Sequence, residues 1–134
     1  MKKRGQVSLE YLMLIGFVFI ALVPAMLLAY NAYKDNQDII AIRQAKQASE
    51  AIIQESEAIY YLGPPSMSTI KVYVPGQIFE VVVDDFELTM RVRTSNGIDD
   101  VSTISRVNIT GVVPSTQGSH IVTVSATGTQ VIIS

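Results

Sequence analysis

The sequence predicts an α+β protein: a long N-terminal α-helix, apolar in its N-terminal half, followed by a C-terminal antiparallel β-sheet or sandwich. Three observations carry this prediction. The segment 11–33 contains no charged residue, and the segment 34–62 contains no proline or glycine. Beyond Gly63 the hydrophobic period changes from about 3.6 residues to 2, as expected where a helix gives way to strands. We expect the helix to form a stalk and the sheet a head.

The composition limits both the number of domains and the classes of function. With 134 residues, the chain is long enough for one small domain and a hydrophobic segment. The net charge is −2, and the lysines and arginines beyond the first four positions are dispersed, which argues against nucleic-acid binding. Cysteine is absent, which excludes disulfides, thiolate metal ligands and cysteine nucleophiles.

The apolar segment is long enough to cross a membrane. At about 1.5 Å per helical residue, the segment 11–33 reaches roughly 34 Å, which spans a hydrocarbon core of about 30 Å. The residues at 2–4 are all basic, whereas Lys34 is followed by Asp35, so the positive-inside rule predicts a cytoplasmic N-terminus. One alternative is a cleaved secretory signal, with an apolar region of about 7–15 residues before an A-x-A-like site. An uncleaved signal anchor is the other.

A motif precedes the apolar segment. The basic run at 2–4 leads into Gly5 and Gln6, and Glu10 follows four positions after Gln6. Together with the apolar helix, this arrangement resembles the class III signal peptide of archaeal type IV pilins. The resemblance implies that a prepilin peptidase cuts between Gly5 and Gln6 and removes the leader 1–5. Methylation of the new N-terminus does not carry over from bacterial pilins, which open with phenylalanine, and archaellins generally lack this glutamate.

Glu10 lies at the edge of the apolar segment, where burying a carboxylate in lipid costs a few kcal/mol unless it is neutralised. After the implied cleavage, the ammonium group of Gln6 would lie one helical turn before Glu10 on the same face. The ammonium group of a neighbouring subunit could pair with Glu10 equally well. We therefore predict that Glu10 sets the register of assembly. The alternative is an acid that extends to the membrane interface without a partner.

Small residues form a stripe on the apolar helix. Ala21, Ala25 and Ala29 recur at four-residue spacing, which would let helix backbones approach closely in an apolar medium. Pro24 lacks an amide hydrogen, so we expect a kink or a loosened turn beside it. The segment 6–33 is predicted as a membrane helix, and the resemblance to type IV pilins implies that it later becomes part of a filament core.

The segment 34–62 continues the helix with an amphipathic pattern. Gly63, Pro64 and Pro65 predict a stop, so the helix is expected over 6–62. The residues predicted to share its apolar arc are Ile42, Ala45, Ser49, Ile52, Ile53, Ser56 and Tyr60.

The head, 63–134, is predicted to consist of consecutive antiparallel hairpins. Turn signals occur at Pro75-Gly76, Asp84-Asp85, Asn96-Gly97 (which suits a type I′ turn) and Gly128. Phe86, Leu88, Met90 and Val92 are predicted to share one buried face of a strand. Because so short a segment without disulfides cannot build a generous core, we expect it to pack on the amphipathic helix. The predicted strands are 68–74, 77–83, 86–94, 98–109, 120–126 and 129–133, with a loop over 111–118.

Few residues in the head suggest a chemical site. Asn108 begins an N-glycosylation sequon, Asn108-Ile109-Thr110. The pairs Asp84-Asp85 and Asp99-Asp100 would bind calcium only if their loops met, and each is more simply explained as a turn. The only histidine, His120, is expected in a loop. We find no catalytic motif and no metal or cofactor signature, so we expect a protein that is not an enzyme.

The resemblance implies a structural subunit of a type IV pilus-like filament. Such a subunit would be made as a single-pass membrane precursor with a cytoplasmic N-terminus, and would end in an extracellular pilus that mediates adhesion. Its partners would be copies of itself, a prepilin peptidase, and an assembly platform with its ATPase. The alternative is a membrane-anchored extracytoplasmic binding module that never polymerises, with a minor pilin between the two.

Overall fold

The computed structural model describes the backbone from Lys2 to Ser134 and the side chains from Gly5 onward, so the predicted basic leader lies partly outside the described residues. The chain divides into two compact units, Met1–Asn36 and Gln37–Ser134. The described elements are α1 (Lys2–Leu62), β1 (Met67–Val74), β2 (Ile78–Asp84), β3 (Glu87–Thr94), β4 (Gly97–Ile104), β5 (Ile109–Gly111), β6 (Gly118–Ala126) and β7 (Val131–Ile133). The predicted α+β class is confirmed.

The helix ends where the sequence predicts. Gly63 has φ of +77°, a left-handed conformation that glycine adopts without steric cost. Its amide donates to the carbonyl of Tyr60 at 3.1 Å, which closes the last turn. The start differs, because α1 begins at Lys2 and not at residue 6. Nothing at 2–5 prevents helix formation, since Gly5 lowers helix propensity by only about 1 kcal/mol.

The strands form two sheets and not one series of hairpins. The first sheet has the order β1-β6-β7-β5 and the second the order β2-β3-β4. The second sheet follows the predicted hairpin pattern, and so does the antiparallel β6-β7 pair around the turn predicted at Gly128. In the first sheet β1 pairs with β6, and β5 pairs in parallel with β7. The turn at Pro75 carries the chain from one sheet to the other, with the amide of Ile78 donating to the Pro75 carbonyl at 3.2 Å.

The fourth predicted strand, 98–109, is split in two. β4 ends at Ile104, where the next residue, Ser105, bonds the backbone of Val107. The Oγ of Ser105 donates to the carbonyl of Val107 at 2.7 Å and accepts from the Val107 amide at 3.2 Å. Such a local hydrogen bond competes with ladder pairing. The chain bends there and joins the first sheet as β5.

The β2–β3 and β3–β4 turns each differ in detail from the prediction. Thr94 pairs with Gly97, so the loop residues are Ser95 and Asn96. Asn96 does not have a positive φ, which is incompatible with the predicted type I′ turn. Phe86 lies in the turn between β2 and β3 and is 51% exposed, so its predicted place on the buried face is wrong. The other three residues of the predicted buried face, Leu88, Met90 and Val92, are fully buried, as predicted.

Within Gln37–Ser134, the outer half of α1 packs against both sheets. Of the predicted arc, five residues are buried, and Ile42 and Tyr60 are partly buried against the core. The prediction that the sheet packs on the helix is therefore confirmed. Grooves separate the helix from β1 on one side and from β4 on the other, so α1 lies beside an edge strand of each sheet. The buried helix residues are Ala41, Ala45, Ala48, Ser49, Ile52, Ile53, Ser56 and Ile59.

The hydroxyl groups of two buried serines on α1 are both hydrogen-bonded. The Oγ of Ser56 donates to the carbonyl of Ile52 at 2.7 Å. The Oγ of Ser49 lies 2.7 Å from Oγ1 of Thr103 on β4 and so links the helix to the second sheet. Neither hydroxyl carries the cost of an unsatisfied buried polar group.

Two carboxylates on α1 accept hydrogen bonds from the connections that precede and follow β4. A carboxylate oxygen of Asp38 accepts hydrogen bonds from the amide and the hydroxyl of Ser95, at 2.9 and 2.5 Å. The Glu57 carboxylate accepts from the backbone amide of Arg106 at 2.9 Å. These contacts fix the axial position of the helix on the head.

Candidate functional site

The strongest candidate for function is the apolar part of α1. It includes an 18-residue window with a mean hydropathy of 2.7, none of which is buried. Phe17 is 73% exposed, Ile20 74% and Leu28 72%. By length and composition this helix could span a membrane or serve as a signal anchor. A soluble surface rarely leaves so much contiguous apolar area uncovered, which is consistent with a membrane span or a signal anchor.

Gly5 and Gln6 both lie on exposed helical positions. A Cβ built at Gly5 would meet no atom within 4 Å, and its φ is not in the left-handed region. Folding therefore provides no reason for glycine at this position.

Glu10 is exposed and makes no hydrogen bond or ion pair with the described side chains, those from Gly5 onward. It lies one turn after Gln6 on the same helix, the spacing at which side chains on a helix meet. The predicted pairing partner, an ammonium group on Gln6, would exist only after cleavage.

The predicted alanine stripe lies on exposed helix. Ala21, Ala25 and Ala29 occupy one face at four-residue spacing, and none is covered by another part of the chain. The helix is continuous through Pro24 and has no melted turn there.

The sequon places Asn108 at the entrance of β5, where it is half-buried. Its Oδ1 is buried and has no hydrogen-bond partner. Its backbone carbonyl accepts from the amide of Val131 at 2.8 Å, and the next residue, Ile109, is fully buried. The sequon is thus part of the paired sheet, and glycosylation of Asn108 stays a prediction.

The acidic pairs do not form a cation site. Asp99 and Asp100 lie within β4 and not in a turn, and Asp100 faces Arg91 on the neighbouring strand. Among the described residues, no group of three or more histidine or acidic side chains could hold a metal ion.

His120 lies in β6, so the loop predicted for it is wrong. It pairs with Val72 of β1, and its Nε2 lies 2.7 Å from the carbonyl oxygen of Thr116. This contact holds the end of the 112–117 connection against the strand, a structural role.

The grooves of the head are modest. One of them, with a volume of about 360 Å³, lies between α1 and β1. It contains no carboxylate or histidine that could act as a base. Its lining consists of Gln44, Gln47, Ala48, Ala51, Lys71, Val72 and Tyr73.

Three tyrosines lie at the ends of the apolar segment and are not among the predicted site residues: Tyr11, Tyr30 and Tyr33. The signal that identifies them is their position, because tyrosine is enriched where a membrane helix meets the interface. All three side chains are more than half exposed, at 68%, 56% and 62%.

Comparison with known proteins gives no relatives from which function could be transferred. No family model, no curated protein and no solved structure matches this chain.

Proposed function

We propose that this chain is a structural subunit of an extracellular type IV pilus-like filament, made as a membrane-inserted precursor and cleaved between Gly5 and Gln6. The observation that carries the proposal is the uncovered apolar helix, in which no part of the 18-residue window is buried. A bilayer can cover this surface in the precursor, and the helices of other copies can cover it in a polymer. The second unit, Gln37–Ser134, contains the head, 63–134, together with the outer half of α1.

The residues around the cleavage site support the same proposal. Glycine at position 5 has no packing role, which fits recognition by a prepilin peptidase. Glu10 has no partner among the described side chains, which fits a carboxylate reserved for an ammonium group created by cleavage. Pairing of the two charges offsets the burial cost only at one axial stagger of neighbouring helices, so it would select the register.

The abundant form of the protein tests the proposal directly. Filaments sheared from cells should contain, by mass spectrometry, a chain that begins at Gln6 as a major component. A full-length chain found only in membranes would instead support the anchored binding module.

The role of Glu10 is tested by Glu10→Gln, which keeps the shape of the side chain and removes the charge. We expect normal membrane insertion and cleavage but filament yield reduced by at least tenfold, because the ammonium group loses its partner. The matched control is Glu55→Gln, an acid on the same helix that makes no ion pair among the described residues. Wild-type filament yield from Glu10→Gln would refute the register role.

A further inference from the structure

The apolar segment of α1 is bounded by tyrosines at both ends. Tyr11 lies at its N-terminal end, and Tyr30 and Tyr33 lie at its C-terminal end. The intervening residues, 12–29, are all apolar or glycine and proline. None of the three rings packs against another element of the described chain, and each is free to meet a surrounding medium.

The separation of the tyrosines matches the thickness of a bilayer. At about 1.5 Å per residue, Tyr30 lies roughly 28 Å along the helix from Tyr11, against about 30 Å for a hydrocarbon core. Tyrosine prefers the headgroup level, where the ring meets acyl chains and the hydroxyl meets water. We infer that Tyr11 at one interface and Tyr30 with Tyr33 at the other fix the depth of α1 in a lipid bilayer before assembly. This inference rests on the membrane-inserted precursor of the proposed function.

Lys34 strengthens the outer end of this arrangement. Its Nζ lies 4.6 Å from the ring centroid of Tyr30, a cation–π contact. The ammonium group at this point is the first charge after the apolar segment. It can reach lipid phosphates while its methylene chain lies along apolar surface.

The depth of α1 in the bilayer also determines the surroundings of Glu10. Because Glu10 directly precedes Tyr11, it lies at the headgroup level when Tyr11 is at the interface. Water and headgroups then solvate its carboxylate, so the precursor incurs little burial cost. That cost arises only when the helix leaves the bilayer for an apolar core, and the requirement for an ammonium partner arises at the same step.

Depth-dependent fluorescence quenching tests the inferred depth of α1 in the bilayer. The chain contains no tryptophan, so Tyr11→Trp, Tyr30→Trp and Phe19→Trp each introduce a single reporter. The full chain is reconstituted in phosphatidylcholine vesicles brominated at defined acyl positions. We expect reporters at 11 and 30 to be quenched most by shallow bromines and the reporter at 19 most by deep ones. A deep maximum at 11 or 30, equal profiles at all three positions, or no quenching would overturn the inference.

A matched pair tests whether the tyrosine itself sets the depth. In the Phe19→Trp background, Tyr11→Ala should shift or broaden the quenching profile, whereas Leu12→Ala should leave it unchanged. Tyr11 and Leu12 are equally exposed, at 68% each. Identical profiles for the two variants would refute the anchoring role. The vesicles contain no peptidase or assembly machinery, so the result is independent of whether filaments form in cells.

Discussion

At Gly111 the chain passes so close to the C-terminal strand that no side chain fits. A Cβ there would lie 1.8 Å from the carbonyl oxygen of Ile133, and φ is +137°. Steric exclusion and backbone conformation each require glycine. The close approach lets the amide of Val112 donate to the same Ile133 carbonyl at 3.1 Å, which extends the pairing of β5 with β7.

We predict that Gly111→Ala destabilises the protein by about 3 kcal/mol or more, because steric overlap and backbone strain add. The control is Gly128→Ala, where a Cβ would meet nothing within 4 Å. Thermal unfolding of the full-length chain in mild detergent, followed by near-ultraviolet circular dichroism, measures both. Equal melting temperatures for the two variants would contradict the close approach.

At the scale of elements, α1 has two different surroundings along its length. Its N-terminal half is uncovered, whereas residues of its outer half form part of the core of Gln37–Ser134. Ile52 is fully buried, and Ser49 beside it bonds Thr103. The outer half is therefore a structural element of the head and not only its support.

Ile52→Ala should lower the free energy of unfolding by about 2–5 kcal/mol, because it leaves a cavity in the core. Gln54→Ala, on an exposed position of the same helix, should change it by less than about 0.5 kcal/mol. The detergent unfolding assay described for Gly111 compares them. A small effect of Ile52→Ala would mean that the helix does not pack as described.

At the scale of the whole molecule, the two units differ in burial: none of the 18-residue apolar window of the first is buried, whereas the second contains the hydrophobic core. The unit Gln37–Ser134 has a core built from both sheets and α1. Without the helix, the segment 63–134 would expose the faces of the sheets that pack on it. Compact units with their own core can fold independently.

We therefore predict that a fragment of residues 37–134 folds alone as a soluble monomer, whereas a fragment of residues 63–134 aggregates or stays unfolded. Amide dispersion in two-dimensional NMR spectra and size-exclusion chromatography distinguish these outcomes. A well-dispersed spectrum from the shorter fragment would show that the helix is dispensable for the fold.

By itself the sequence determined the features that depend on local chemistry. The apolar segment, the amphipathic arc through Ile52 and the helix stop at Gly63 follow from periodicity and backbone preference over a few residues. The β2-β3-β4 order follows from turn signals between adjacent strands. The candidate residues Gly5, Gln6 and Glu10 also follow from a short motif, because their relation is set by spacing along one helix.

Only the tertiary structure decided the features that depend on distant partners. The division into two sheets, the parallel pairing of β5 with β7 and the partial burial of Asn108 depend on residues far apart in the chain. Ser105 ends β4 through a local hydrogen bond that hydrophobic periodicity does not reveal. These outcomes depend on which backbone groups form hydrogen bonds when the sheets pack on α1. Hydrophobic patterns along the chain do not specify those pairings.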